Sequence, residues 1–448
     1  MSDEKRQEII RLAREYFAAR AQPEFVPGIT YIPPSGKVMD DEDCGYLIDA
    51  SLDMWLTAGR YADQFEEELA VKFGRRFSKL TVSGSAANLL AFACLTSWKL
   101  GDKRIKPGDE VITVAAGFPT TVTPIVQYGC IPVFVDVDVE THNVDVDLLE
   151  AAITPKTRAV MIAHSLGNPF DVARVAALCK QHNLWLVEDC CDAFGAYVGD
   201  QHVGTFGDVA TLSFYPAHHI TMGEGGAVLM NSPLLAKIAE SFRDWGRDCY
   251  CKPGVDNTCN KRFNWRLGEL PKGYDHKYTY SHIGYNLKVS DMQAAVGVSQ
   301  LKKLDHFVER RRENFAGLTS RLRARGLDRY YHLPVPTPGT NPSWFGYLLT
   351  VRDGTGIERN QLTRRLEDRK VGTRMLFAGN LTKQPAFRDV EYRVYGTLER
   401  TDKIMNDSFW VGVWPGIDDA RLDYMVETLQ SITDELLAEG QAADLTTA

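Results

Sequence analysis

The strongest constraint on the fold is a run of short apolar segments alternating with helical ones. EVITV (110–114), PVFVDV (132–137), AVMIAH (159–164), LWLVED (184–189) and ATLSFY (210–215) are apolar almost throughout rather than at every second residue. Strands of that kind are buried on both faces, and helices between them predict a mostly parallel sheet covered on each side. Ligands of such sheets collect beyond the carboxyl ends of the strands. Upstream, YADQFEEELAVKFG (61–74) carries Phe65, Leu69 and Phe73 on one helical stripe, with Gly74 as its C-cap. Downstream, residues 289–326 keep a helical period and are expected to run as one long helix. These patterns divide the chain into an N-terminal helical segment (1–58), a large domain (59–315) and a smaller C-terminal α+β domain (316–448).

Composition narrows the class. In 448 residues, 51 Lys+Arg stand against 59 Asp+Glu, a formal charge of −8. A nucleic-acid binder would need a basic stripe, and none is present. No apolar stretch is long enough for a membrane span, and the charged start MSDEKRQEIIRLAREYFAAR is unlike a signal peptide. The expectation is a cytoplasmic globular protein. GxGxxG after a strand and GxxxxGK[ST] are both absent, so neither a nicotinamide site nor a P-loop is supported.

In that compartment the nine cysteines should be reduced. Most read as small buried hydrophobes. Cys249, Cys251 and Cys259 do not, because DCYCKPGVDNTCNK is a polar loop in which burial gives no reason for cysteine. Clustered thiolates would suit either a [2Fe–2S] centre or zinc, and spacing alone does not choose.

Polar groups follow the strands. Ser83-Gly84-Ser85-Ala86 ends one strand and opens a helix, where backbone N–H groups and the helix dipole favour an anion. Asp189 closes LWLVED and should meet a cation, because a buried carboxylate is costly alone. Ser213 ends ATLSF, and the pair His218-His219 lies five and six residues beyond it.

The order of VSGSAAN, GFPTTVTPI, HSLGNPFD, LVEDCCDAFGA, TLSFYPAHHITMGEGG and GYNLKVSDMQAAVGVSQLKKLD resembles the nucleotide-sugar aminotransferases among the fold-type I pyridoxal phosphate enzymes. VGTRMLFAGNLTKQP and VGVWPG continue the likeness. The resemblance implies that Gly84, Ser85 and Ala86, with Ser213, cradle the cofactor phosphate. It implies that Phe118 stacks on the pyridine ring, that Asp189 pairs with the ring N–H, and that Asp192 lies close to the ring. Asn286 would reach the phosphate of a neighbouring subunit, hence a homodimer.

Two departures from the family pattern are specific. The family motif SFxPxK, whose lysine anchors the cofactor, reads Ser213-Phe214-Tyr215-Pro216-Ala217-His218 here, and the next lysine is Lys237. Imidazole cannot anchor the cofactor covalently but can move a proton near neutral pH. Adjacent residues point apart, so one of His218 and His219 is expected at the cofactor, and register favours His218. The second departure is cysteine: Cys191, Cys249, Cys251 and Cys259 match the ligands of a [2Fe–2S] cluster in the family's sugar 3-dehydratases.

Together these imply a C3 dehydration of a nucleotide-linked 4-keto-6-deoxyhexose, with CDP-4-keto-6-deoxyglucose as the expected substrate and pyridoxamine 5′-phosphate as cofactor. Loss of the C3 oxygen as water leaves two electrons to be supplied. That need implies an NADH-dependent iron–sulfur flavoprotein reductase as partner, since no nicotinamide or flavin site is legible. The alternatives are the same reaction on a dTDP- or GDP-linked sugar, an aminotransferase working without its lysine, and a zinc-stapled binding homologue.

Overall fold

The computed structural model of the chain describes residues 2–20 and 24–447. The apolar segments form an eight-stranded sheet. In spatial order its strands are Phe77–Thr81, Gly226–Met230, Val209–Ser213, Trp185–Asp189, Thr157–Ala163, Glu110–Val114, Ile131–Val135 and Arg393–Val394. The last six run parallel to one another, while Gly226–Met230 is antiparallel to both its neighbours. Helices cover both faces: Leu90, Phe92 and Leu95 of Gly84–Leu95 enter one core, and Val172, Val175 and Leu178 of Val172–Gln181 enter the other. The expected aminotransferase-like α/β architecture is therefore present.

A second, antiparallel sheet of Tyr331–His332, Gly346–Val351 and Ser408–Gly412 packs against Leu304–Ala324, Arg359–Asp368 and the long helix Asp419–Thr447. The expected single helix over 289–326 is instead two, Asp291–Leu301 and Leu304–Ala324, separated by a turn at Lys302 and Lys303. The first closes on the large domain and the second carries Phe315, Leu318 and Leu322 into the small-domain core.

The N-terminal segment serves both bodies. Asp41–Leu52 lies against Asp291–Leu301, where Gln300 Nε2 donates to Asp43 Oδ2 at 2.8 Å. Ile32 joins the small domain, donating to the Lys370 carbonyl and accepting from Gly372 N–H. Arg393–Val394, from the C-terminal third, adds an edge strand to the large sheet. Among the described residues, no helix is long and apolar enough to cross a membrane.

One buried knot fixes the carboxyl edge of the sheet. Glu188 is fully buried, and its carboxylate accepts from the backbone N–H of Gly204 (2.5 Å), Phe206 (3.0 Å) and Gly207 (2.6 Å). His164 Nε2 donates to it at 3.2 Å, with Nδ1 accepting from Phe170 N–H. Burial pushes this acid up, but His164 and the backbone donors outweigh it and hold the carboxyl below its usual range. Removing the carboxylate strands a histidine and three N–H groups, so Glu188→Ala should cost about 3–5 kcal/mol in the urea midpoint-derived stability. A loss under 1 kcal/mol would show that the knot is dispensable.

Candidate active site

Where the strands end, the two domains enclose a cavity of about 630 Å³. Asp189 forms its floor, 4% exposed at the end of Trp185–Asp189. Its Oδ2 accepts from Asn88 Nδ2 (2.8 Å) and Thr121 Oγ1 (2.7 Å), and its Oδ1 from Cys191 N–H (3.1 Å). Thr211 Oγ1 in turn donates to Asn88 Oδ1 at 2.7 Å, which fixes the amide's orientation. All these donors are neutral. Among the described residues, no cationic side chain pairs with Asp189, so the carboxylate is oriented for a cation arriving through the cavity.

Beside it, the helix Gly84–Leu95 presents its N-terminus. Ser83 caps it by accepting from Ala86 N–H at 3.0 Å, so Ala86's own N–H is engaged and its side chain is buried. Gly84 and Ser85 line the cavity. A Cβ at position 84 would lie 2.4 Å from Ser213 Cβ and 2.8 Å from its Oγ, so only glycine allows this approach. Free backbone N–H groups, a serine hydroxyl and the helix dipole make a phosphate cradle. Phe118 stands half-exposed at the cavity, edge-on to Phe377 with ring centroids 5.6 Å apart. A flat aromatic cation ending in a phosphate fits this set: the cradle takes the phosphate, Phe118 gives a ring face, and Asp189 meets a ring N–H.

The two histidines diverge. His218 lines the cavity, its Nδ1 lies 3.4 Å from Asp192 Oδ1, and its ring sits 5.2 Å from that of Phe345. His219 is buried and turned away, with Nε2 against the Ser343 carbonyl. Burial, with help from the Arg311 charge, pulls its pKa well below the ordinary value, so it is a neutral structural group. Burial pushes the Asp192 carboxyl up, and His218 opposes that shift.

All four cysteines of interest are free thiols. Cys191 lines the cavity, and its Sγ would lie 3.2 Å from a Cβ at position 84. Burial, then Asp189, holds its thiol well above the ordinary pKa. Cys249, Cys251 and Cys259 lie together in a stretch without helix or strand. There Cys251 Sγ and Thr258 Oγ1 are 3.0 Å apart, and the charge of each of the three thiols acts on Tyr250. Burial raises the Cys251 thiol, yet hydrogen bonds from Thr258 and Cys249 outweigh it and bring the pKa below the usual value. Among the described residues, no three of the four thiols lie within 4.8 Å of one another; the set of metal-binding atoms that does is His164, Glu188 and Cys190, whose Glu188 is already fully hydrogen-bonded. The donor chemistry fits an iron–sulfur centre, while Cys191 and the loop thiols are not drawn into one site.

Asn286 is exposed, outside this cavity, and accepts from Lys288 Nζ at 2.9 Å. The small domain contributes further walls, Phe345, Arg374, Phe377 and Trp410; Arg374 and Phe377 lie in the quoted stretch VGTRMLFAGNLTKQP, whereas no motif announces Phe345 or Trp410. Asn88 and Thr121 were not singled out from the sequence, although they lie in the quoted motifs VSGSAAN and GFPTTVTPI.

Residues 38–430 match the DegT/DnrJ/EryC1/StrS aminotransferase family. The chain belongs to that family. Its relatives there include the lipopolysaccharide biosynthesis protein RfbH of Salmonella typhimurium, 54% identical over 95% of this chain and 97% of RfbH. The dTDP-4-dehydro-2,6-dideoxy-D-glucose 3-dehydratase of Saccharopolyspora spinosa is 52% identical over 96% of this chain and 92% of its own. Among solved structures, the E. coli GDP-4-keto-6-deoxy-D-mannose-3-dehydratase with bound hydrated PLP superposes with a TM-score of 0.79 at 28% identity, covering 90% of this chain and 99% of that one. The family fold is that of the fold-type I pyridoxal phosphate enzymes, as the sequence resemblance implied.

The cradle makes a sharp prediction. Gly84→Ala should raise the Kd for pyridoxamine phosphate by at least about tenfold, or 1.4 kcal/mol, in a fluorescence titration. Folding should lose no more than the ~1–3 kcal/mol of local overpacking. Unchanged affinity would place the phosphate elsewhere.

Proposed function

We propose that this protein removes the C3 hydroxyl of a nucleotide-linked 4-keto-6-deoxyhexose, with CDP-4-keto-6-deoxyglucose as substrate, in the biosynthesis of deoxysugars for lipopolysaccharide O-antigen. The observation that carries the reading is His218, an imidazole lining the cavity beside Asp192 at the position where the family motif has its lysine. A relative named as a sugar 3-dehydratase at 52% identity supports it. That relative acts on a dTDP-linked sugar, which favours dTDP as the second reading of the nucleotide.

When bound, pyridoxamine phosphate supplies an amine that captures the C4 ketone and a ring that accepts an electron pair. Gly84, Ser85 and Ser213 bind the phosphate, and Asp189 holds the proton on the ring nitrogen. Phe118 covers the ring and, with the small-domain wall, keeps water out. His218 takes the proton from C4′ of the cofactor, and the Asp192 carboxylate faces its Nδ1. Lacking an amine, His218 moves protons without trapping the cofactor, so the pathway runs to loss of the C3 oxygen as water rather than to amino transfer.

Cys191, Cys249, Cys251 and Cys259 would hold a [2Fe–2S] cluster. A cluster held there would supply one-electron chemistry, with the two electrons that the product requires drawn from an NADH-dependent iron–sulfur flavoprotein reductase. A homodimer would let Asn286 reach the phosphate in the neighbouring subunit.

The test uses protein purified under nitrogen and loaded with pyridoxamine phosphate. With CDP-4-keto-6-deoxyglucose present, C4′ hydrogen should exchange with solvent. His218→Asn should slow that exchange by about 10²–10⁴-fold while retaining cofactor, and His219→Asn should keep appreciable turnover. The reverse pattern would overturn the assignment. Analysis of the same protein should find two irons and two sulfides per chain; zinc without sulfide would remove the cluster. Cys251→Ser should abolish net reduction yet spare the exchange.

A further inference from the structure

The helix Leu304–Ala324 contains three consecutive arginines, and the middle one is fully buried: Arg311 has 0% exposure, although its neighbours Arg310 and Arg312 reach polar partners near the surface. It takes part in no ion pair among the described residues. Its guanidinium spends its donors on four backbone carbonyls. Nη1 donates to Trp344 (3.2 Å) and Phe345 (3.3 Å), and Nη2 to Ala217 (3.5 Å) and His218 (3.3 Å). Nε has no partner. A buried cation satisfied only by carbonyls is an expensive way to hold a helix, and an apolar side chain of similar volume would pack as well.

The carbonyls explain the expense. Ala217 and His218 form the turn that delivers the imidazole, and Trp344-Phe345, whose Phe345 ring rests against His218, lead into the small-domain strand Gly346–Val351. The neighbouring carbonyls are claimed too, Pro342 by Arg312 Nε (2.9 Å) and Ser343 by His219. Ser343 and Phe345 also donate their N–H groups to Gly167 (3.1 Å) and Leu166 (2.8 Å), beside the cavity. Burial pulls the Arg311 pKa down to about 10 and the Asp192 charge pushes it up, so the side chain stays cationic at neutral pH and acts on Asp192. Asp192, Arg311 and, behind it, His219 thus act on the His218 side of the cavity, which Asp189, Cys191, Tyr215, Glu224 and Arg374 also line.

We propose that Arg311 is a positioning residue for His218, a fork that ties the 217–218 turn to the 344–345 segment and so fixes the imidazole across the junction of the two domains. A lysine could supply the charge but not the planar fork that spans four acceptors. The consequence for proton transfer rests on the function proposed above; the clamp itself does not.

The test therefore has two readouts on holoenzyme loaded with pyridoxamine phosphate. The first is the rate of diethyl pyrocarbonate modification at His218, mapped by mass spectrometry, with exposed His182 as internal control. The second is C4′ hydrogen exchange with CDP-4-keto-6-deoxyglucose. In Arg311→Ala, His218 should be modified faster while His182 is unchanged. The exchange kcat should fall by about 10²-fold at constant KM, with cofactor retained, and added guanidinium should restore both. Arg311→Lys should show the same two changes if the alanine variant does not fold. Wild-type reactivity at His218 in a folded, cofactor-loaded variant, or no response to guanidinium, would overturn the clamp. If the native protein shows no exchange while His218 reactivity still follows Arg311, the dehydratase reading fails and the clamp stands.

Discussion

The site is organised around one carboxylate. Asp189 is almost completely buried at the end of a central strand, held by an asparagine, a threonine and a backbone N–H, all neutral. Three neutral hydrogen bonds hold the charge, and a cation in the cavity would stabilise it further. The surrounding features build on that arrangement. Thr211 orients Asn88, Glu188 on the preceding residue pins the 204–207 turn, and the Gly84 cradle lines the same cavity as Asp189. Successive residues of one strand thus face opposite sides of the sheet, one securing the fold and the other serving the site.

Much of this was legible because strand-end chemistry is local. Apolar runs located the strands, and the carboxyl-edge rule located the site. Asp189, Gly84, Ser213 and His218 all emerged from residues within a few positions of a strand end. The divergence of His218 and His219 was anticipated from their adjacency, although the structure places both in a bend where the Tyr215–His218 turn closes, not on an extended segment. The single helix expected over 289–326 breaks at Lys302-Lys303, since continuous periodicity does not reveal where a helix changes the body it packs against.

What stayed hidden is non-local. Phe345 and Trp410 reach the cavity only through the docking of the small domain, and no short motif encodes that docking. Arg311 is instructive, because Glu-Arg-Arg-Arg-Glu reads as a solvated charged face. Yet Phe307, Arg311, Phe315, Leu318 and Leu322 follow one helical stripe, and the burial of that stripe was the available signal. The thiols divide similarly. Cys191 belongs to a strand end and falls at the cavity, whereas Cys249, Cys251 and Cys259 occupy a stretch whose path neither periodicity nor capping dictates.

The central claim is that the buried Asp189 carboxylate completes itself with the protonated ring nitrogen of pyridoxamine phosphate. The direct measurement is the ¹⁵N NMR shift of ring-labelled cofactor bound to the protein. A protonated-pyridine shift at neutral pH, lost in Asp189→Asn, is the predicted result. An unprotonated shift in the native protein would contradict the account.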